Sequence, residues 1–187
     1  MKSNIEIIIG PMYSGKSSAL STLISRYDHT NKKTMLINHC FDIREEDSVI
    51  STHSDIIKNK PAIKCKYLMN LIDTDDFVNA DVIGIDECQF FNDLLDFVKY
   101  VDKLDNKILI MTGLDGNFKR ESFGQVLQCI TYCNSVTKLN AMCMNCNDGT
   151  LASFTKRIID NNNEILVDVD DNKECYKALC RSCFNQN

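Results

Sequence analysis

Several features are scarce in this sequence, and each scarcity excludes a class of protein. No apolar run approaches the roughly 18–20 residues that a membrane-spanning helix needs, so no membrane protein is expected. With only 7 glycines and 2 prolines among 187 residues, no long flexible linker is expected either. Basic residues number 21 against 26 acidic ones, and the resulting charge of −5 argues against a general nucleic-acid binder.

The remaining composition is that of a folded protein with many cysteines. The apolar share of 44% and the charged share of 25% are ordinary for a soluble domain and exclude a largely disordered chain. The apolar run at residues 5–9 contains Glu6 and is too short for an export signal, so we expect a cytoplasmic protein. In that reducing compartment, clustered cysteines are more often metal ligands than disulfides.

Apolar segments and helical spacing alternate along the first 140 residues. The pattern predicts strands at residues 5–9, 34–37, 82–85, 108–111 and 136–139, and helices at residues 18–27 and 90–104. Such alternation is typical of an α/β fold with a mostly parallel sheet. Because cysteine pairs and polar residues follow Asn140, we predict one domain at residues 1–140 and a second, small one at residues 141–187.

A phosphate-binding motif follows the first predicted strand. Its eight positions fit G-x-x-x-x-G-K-[ST] and are Gly10, Pro11, Met12, Tyr13, Ser14, Gly15, Lys16 and Ser17. Backbone N–H groups of such a loop hold phosphate oxygens, the lysine reaches the β- and γ-phosphates, and the hydroxyl binds Mg²⁺. The strand before the motif and the helix after it favour this interpretation over a turn that merely resembles it.

Two acidic residues, Asp86 and Glu87, end the third predicted strand. Parallel sheets bind ligands at the carboxyl ends of their strands, so both side chains are expected to face the phosphate loop. We assign Asp86 to magnesium and Glu87 to proton abstraction from water or an acceptor hydroxyl. An acidic pair after a strand is common by itself, and the phosphate loop is what favours a functional role.

Four cysteines form two Cys-x-x-Cys pairs, Cys143 with Cys146 and Cys180 with Cys183. This arrangement predicts a closed, structural zinc site, because no open position remains for water. The 33 residues between the pairs exceed the usual gap of about 15–20 residues, so a long excursion is expected. A redox-active pair is the alternative.

The five arginines and the loop aromatics are further candidates. Arg44 and Arg120 would neutralise a transferring phosphate, or remain solvated at the surface. Phe118 and Phe123 flank Arg120 and would sandwich a base, or fill the core. His29, His39 and His53 lack metal-ligand spacing and are expected at the surface.

Taken together, these motifs resemble the type II thymidine kinases over nearly the whole chain. The resemblance rests on the phosphate loop, the Asp-Glu-Cys-Gln-Phe run that ends at Phe90, the Leu-Asp-Gly-Asn-Phe run that ends at Phe118, the Thr-Lys-Arg run that ends at Arg157, and the cysteine pairs. It implies a RecA-like domain and a zinc domain with a lasso loop. It also implies ATP- and Mg²⁺-dependent phosphorylation of the 5′-hydroxyl of thymidine, a step of nucleotide salvage.

The same resemblance assigns roles to individual residues. Glu87 is implied as the proton acceptor, and Asp42, Ile43, Arg44, Asp86 and Gln89 join the phosphate loop in holding ATP and magnesium. The implied thymine pocket comprises Met12, Phe90, Leu114, Phe118, Phe123, Thr155 and Tyr176, with the lasso residues Leu166, Val167, Asp168 and Val169. The lasso departs from the family pattern, because an Ile-Gly-Gly run is replaced by Val-Asp-Val-Asp-Asp. The family further implies a homotetramer that thymidine triphosphate inhibits.

Three other functions share some of these features. A P-loop ATPase or motor would use Glu87 to activate water, but it would need partner domains or a basic surface. A nucleoside monophosphate kinase with a zinc-bearing lid would need more arginines for its second phosphate. A zinc-ribbon nucleic-acid module with a degraded P-loop is disfavoured by the intact Lys16, Ser17, Asp86 and Glu87. Labelled ATP offered with each candidate acceptor would separate these functions.

Overall fold

A six-stranded, all-parallel sheet forms the centre of the protein. The structure is a computed structural model and describes residues 3–40, 61–159 and 175–186. The strands are β1 (Asn4–Ile9), β2 (Thr34–His39), β3 (Ile63–Cys65), β4 (Val82–Ile85), β5 (Ile108–Gly113) and β6 (Ser135–Lys138). They lie in the order β3-β2-β4-β5-β1-β6 and pair in parallel throughout, which confirms the predicted α/β fold.

Helices cover both faces of this sheet. They are α1 (Lys16–Asp28), α2 (Asp75–Asn79), α3 (Leu94–Asp102) and α4 (Val126–Cys129). Leu20 and Ile24 of α1 pack in one apolar cluster with Val82, whereas Phe97 of α3 packs with Ile83 in another. Because neighbouring residues of β4 point to opposite faces, both faces of this strand are buried, as its continuous apolar run predicts.

Gly84 lets α1 approach the sheet closely. A Cβ atom at this position would lie 2.7 Å from Leu36 Cδ2 and 3.0 Å from Ile24 Cδ1. Contacts this short would push α1 away from β4. Helix α1, which begins at the phosphate loop, is therefore packed at a short distance from β4, the strand that precedes the acidic pair.

Short antiparallel strands form the cysteine-rich region. They are β7 (Ala141–Met142), β8 (Leu151–Ala152), β9 (Phe154–Arg157) and β10 (Tyr176–Leu179), followed by helix α5 (Arg181–Asn185). β7 pairs with β8, and β9 with β10. Their buried cluster consists of three alanines, Leu179, Cys143 and Cys180, which offers little apolar area to stabilise this region.

The predicted elements are confirmed in type, and their bounds differ. The helix predicted over residues 90–104 is shorter, because Cys88–Phe90 form a 3₁₀ turn before α3 begins at Leu94. β3, α2, α4 and the elements after residue 140 were not predicted, since segments this short carry little periodicity. None of the helices in the described ranges combines the length and apolar character needed to cross a bilayer.

Candidate active site

The phosphate loop connects the end of β1 to the start of α1. Gly10 has φ 153°, and a Cβ there would lie 2.5 Å from the carbonyl oxygen of Leu139, so only glycine fits. Gly15 caps α1 with φ 80° and offers no side-chain cap, which leaves the first-turn N–H groups to the loop's interior. Together the two glycines set the backbone path that the motif requires.

Lys16 is buried inside this loop, with an exposed fraction of 7%. Its Nζ donates a hydrogen bond to the carbonyl oxygen of Pro11 at 2.8 Å. Burial lowers the pKa of Lys16, and the negative charges of Glu87, Asp86 and Asp115 oppose that shift. The lysine thus lies in the field of the acidic pair, as expected for residues at one edge of a parallel sheet.

Asp86 is fixed by neighbours on two strands. The carboxylate is 3% exposed, and its Oδ1 accepts hydrogen bonds from Thr112 Oγ1 at 2.5 Å and from the N–H of Glu87 at 3.0 Å. Among the described residues, both bonds fall on one oxygen. The second carboxylate oxygen is the kind of hard ligand that Mg²⁺ prefers.

Glu87 adopts a left-handed backbone conformation, with φ 50°. A non-glycine residue in this region costs on the order of 1–3 kcal/mol, and such outliers cluster at functional sites. Gln89 donates a hydrogen bond from Nε2 to Glu87 Oε2, and its Oε1 accepts one from the N–H of Leu114 at 3.0 Å. Gln89 therefore connects the glutamate to the segment that follows β5.

Several residues assigned to the thymine pocket contact one another in groups. The N–H of Met12 donates to Thr155 Oγ1 at 2.9 Å, which joins the phosphate loop to β9. Phe90 and Phe123 meet edge to face, with ring centroids 5.6 Å apart. Leu114 is tied to the segment that carries Phe90 through the side chain of Gln89, so these residues form two contacting groups.

Arg157 connects the two remaining aromatic residues of this pocket. Its guanidinium lies 3.8 Å from the centroid of the Phe118 ring and 5.4 Å from that of Tyr176. One of its N–H groups also donates to the Tyr176 hydroxyl at 2.9 Å. Arg120 instead stacks on Phe154 and Phe184 in the cysteine-rich region.

The four paired cysteines converge on a single point. The Sγ atoms of Cys143, Cys146, Cys180 and Cys183 all lie within 4.8 Å of one another, with 3.8 Å between Cys146 and Cys180. Tetrahedral Zn–S bonds of about 2.3 Å require sulfur separations close to this. Burial acts to raise the pKa of Cys143, but backbone N–H groups from Cys180, Cys146 and Asn145 lower it to about 6 and so favour the thiolate.

Comparisons with known proteins agree with this geometry. A family model described as thymidine kinase matches residues 3–184. The chain is 38% identical to the thymidine kinase of sheeppox virus over 180 residues, which cover 96% of each chain. It is 41% identical to that of Yaba monkey tumor virus, covering 96% of this chain and 93% of the relative. Thymidine kinase 1 of Dictyostelium discoideum is 35% identical over 98% of this chain and 78% of its own length.

The chain belongs to the thymidine kinase family. This membership confirms the resemblance inferred from the motifs. Seven residues that the resemblance assigns lie outside the described residues. They are Asp42, Ile43 and Arg44 after β2, and Leu166, Val167, Asp168 and Val169 of the lasso. Their roles stay predictions.

Sequence reasoning missed two polar residues and misplaced a histidine. Thr112 contacts Asp86, and Asp115 acts on Lys16 while pairing with Lys138 at 2.5 Å. The polar Thr112 near the end of the otherwise apolar β5 was the available signal for the first of these contacts. The expectation that His39 is at the surface was wrong: β2 extends to this residue, which is 2% exposed and packs against Phe91.

Proposed function

We propose that this member of the thymidine kinase family transfers the γ-phosphoryl group of ATP to the 5′-hydroxyl of thymidine. The observation that carries the proposal is the convergence of Lys16, Asp86 and Glu87 at one edge of the sheet. The O5′–P bond forms as the bond between the γ-phosphorus and the β,γ-bridging oxygen breaks, giving thymidine monophosphate and ADP.

The phosphate loop supplies the donor half of the site. Backbone N–H groups at the start of α1 hold the triphosphate, and Lys16 places a positive charge beside the transferring group. Ser17 and Asp86 are the residues that would hold magnesium, which when bound neutralises charge on the phosphates. Arg44, with Asp42 and Ile43, completes the proposed nucleotide contacts.

Glu87 is the general base in this proposal and removes the proton from the 5′-hydroxyl of thymidine. Its hydrogen bond from Gln89 fixes the direction of the carboxylate. Because Gln89 also holds the N–H of Leu114, the base and one wall of the nucleoside pocket are positioned by the same side chain. We therefore assign Gln89 to positioning as well as to the nucleotide site.

The nucleoside lies between the phosphate loop and the cysteine-rich region. Met12 and Thr155, joined by their hydrogen bond, lie at the junction of these two parts. The Arg157 guanidinium covers one face of the Phe118 ring, and in this proposal the base stacks on the other face while Phe90, Phe123 and Tyr176 enclose it. Backbone groups of the lasso, residues 166–169, would read the pyrimidine edge.

Acceptor specificity gives the direct test of this function. Thymidine should have the highest kcat/KM among thymidine, deoxyuridine, deoxycytidine, deoxyadenosine and thymidine monophosphate, measured under one condition. Losing the 5-methyl group in an apolar slot beside Met12 and Leu114 costs about 1–3 kcal/mol, so deoxyuridine should be disfavoured but accepted. Deoxycytidine should be rejected, because its amino group replaces a carbonyl and leaves polar groups of the site unpaired.

A different ranking would overturn the assignment. If deoxycytidine or thymidine monophosphate had a higher kcat/KM than thymidine, the assignment of thymidine as the acceptor would be wrong even with every motif in place. Hydrolysis of ATP at the same rate with and without any nucleoside would instead indicate an ATPase.

We further propose that the cysteine quartet binds one structural zinc ion, within a domain that spans residues 141–187. The small apolar cluster around Ala141 and Leu179 cannot stabilise this region alone, so metal binding would supply folding free energy. Elemental analysis of the reduced protein should find one zinc per chain, and Cys183→Ser should lose it together with nucleoside affinity.

Cys65→Ser is the matched control for the zinc prediction. Cys65 is a half-buried thiol at the end of β3, remote in the fold from the quartet, and this variant should keep its zinc. Metal-free wild-type protein, or a Cys183→Ser variant with full zinc content, would contradict a Cys₄ zinc site.

The assembly and regulation implied by family membership complete the proposal. β6 lies at the edge of the sheet and is exposed at all four residues, including Val136 at 44%. An exposed strand edge is a surface that a second chain can pair with, which supports self-association, and the family implies that the assembly is a homotetramer. We propose a cytoplasmic enzyme that thymidine triphosphate inhibits, to be tested by light scattering and by inhibition kinetics.

A further inference from the structure

Residues 114–124, here called the nucleoside loop, carry three of the residues assigned to the thymine pocket. They connect β5 to α4 and include Leu114, Phe118 and Phe123. Near the middle of the loop, Arg120 has φ 66°, a left-handed conformation that is uncommon for an arginine. A glycine would adopt this conformation without cost, so the arginine side chain calls for a separate explanation.

The turn around Arg120 is closed by its own hydrogen bonds. Asn117 Oδ1 accepts from the N–H groups of Lys119 at 2.9 Å and Glu121 at 3.0 Å. The N–H of Asn117 donates to the carbonyl oxygen of Glu121 at 2.9 Å, and that of Arg120 to the carbonyl oxygen of Asn117 at 3.0 Å. These bonds fix the turn internally but do not attach it to the rest of the protein.

The side chain of Arg120 attaches the turn to the cysteine-rich region. Its guanidinium carbon lies 4.8 Å from the ring centroid of Phe184 and 5.4 Å from that of Phe154. The two rings pack on each other at 5.5 Å. Phe184 directly follows Cys183, and Phe154 lies in β9 one residue before Thr155. Arg120 thus joins the nucleoside loop to the cysteine-rich region, in addition to the contact of Arg157 in β9 with Phe118.

We propose that Arg120 is a positioning residue for the nucleoside. It holds the nucleoside loop against the aromatic pair Phe154 and Phe184, which lies beside the cysteine quartet. The inference rests on the proposed function for its substrate, although the contact itself does not. Within the described residues, Arg120 contacts the two rings and its own turn, and it touches neither the phosphate loop nor the acidic pair. Its effect is therefore expected on nucleoside binding and not on phosphoryl transfer.

Arg120→Gly and Arg120→Asn test this role without straining the turn, because glycine and asparagine both tolerate positive φ. Loss of two cation–π contacts at an exposed site should raise KM for thymidine about 5- to 30-fold. KM for ATP and kcat should stay within about twofold of the wild type. Arg120→Lys keeps the charge but not the planar stacking group, so its KM should be intermediate.

Arg181→Met is the matched control. The guanidinium carbon of Arg181 also lies over the ring of Phe154, 5.0 Å from its centroid. Arg181 belongs to α5, however, so this contact lies within the cysteine-rich region and does not involve the nucleoside loop. This variant should leave KM for thymidine unchanged. Zinc content is measured in every variant, so that loss of the metal is not mistaken for loss of the Arg120 contact.

Hydrogen exchange supplies a readout that does not depend on the substrate. The N–H groups of residues 117–121 should exchange faster in Arg120→Asn than in the wild type, and not in Arg181→Met. Unchanged exchange together with unchanged KM overturns the proposal, as does a fall in kcat at constant KM, which would place Arg120 in phosphoryl transfer. If the wild type fails to phosphorylate thymidine, the proposed function falls, and the exchange result alone decides whether Arg120 holds the loop.

Discussion

Replacing Lys16 by methionine is expected to lower kcat about 10²- to 10³-fold, the usual effect of removing one fixed donor from a developing negative charge. The protein should remain as stable as the wild type. Burial already lowers the pKa of Lys16, so the fold disfavours the charged ammonium that the proposed catalysis needs. Methionine keeps the length and the packing of the stem at this 7% exposed position.

Lys107→Met is the matched control, because Lys107 is a lysine with a structural role. Its Nζ donates to the carbonyl oxygens of Phe77 at 2.8 Å, Val78 at 3.0 Å and Ala80 at 2.6 Å, which holds the end of α2 against the start of β5. Losing these bonds should lower the free energy of unfolding by about 1–3 kcal/mol and leave kcat unchanged.

Two measurements on both variants decide the matter. Steady-state kinetics gives kcat, and chemical denaturation gives the free energy of unfolding. The expected pattern is a reversal, in which Lys16→Met loses activity and keeps stability while Lys107→Met does the opposite. A Lys16→Met variant with near-normal kcat would contradict the assignment of Lys16 to phosphate binding, whatever the stability of the variant.

The phosphate loop was predictable because its sequence encodes local backbone geometry. Gly10 is required by the close approach of the Leu139 carbonyl, and Gly15 by a positive φ. Lys16 and Ser17 follow at fixed offsets in the same turn. The cysteine quartet was predictable for a related reason, since each Cys-x-x-Cys pair brings two thiols together by local spacing.

Contacts between distant segments were not predictable in the same way. The hydrogen bond between Thr112 and Asp86 depends on β5 lying next to β4. The order of strands in a sheet cannot be inferred from the composition of either strand. The position of Arg120 between Phe154 and Phe184 depends on how the nucleoside loop meets the cysteine-rich region. The sequence identified Arg120 as a candidate, but only its contacts distinguish positioning from charge neutralisation.

Glu87→Gln is expected to lower kcat about 10²- to 10⁴-fold, which corresponds to about 2.7–5.5 kcal/mol in the activation free energy. Glutamine keeps the shape of the side chain and an oxygen that can still accept the hydrogen bond from Gln89 Nε2. It removes only the capacity to take up a proton. KM for thymidine should therefore change little, because the pocket residues keep their contacts.

Two further variants separate proton abstraction from positioning. Glu87→Asp keeps a basic carboxylate but shortens its reach, so kcat should fall less than in Glu87→Gln. Gln89→Leu removes the group that holds both Glu87 and Leu114, so it should lower kcat and raise KM for thymidine together. An unchanged kcat in Glu87→Gln would mean that the carboxylate does not take the proton. The left-handed φ of 50° at this residue would then serve only to turn the chain into the 3₁₀ segment that carries Phe90 to the pocket.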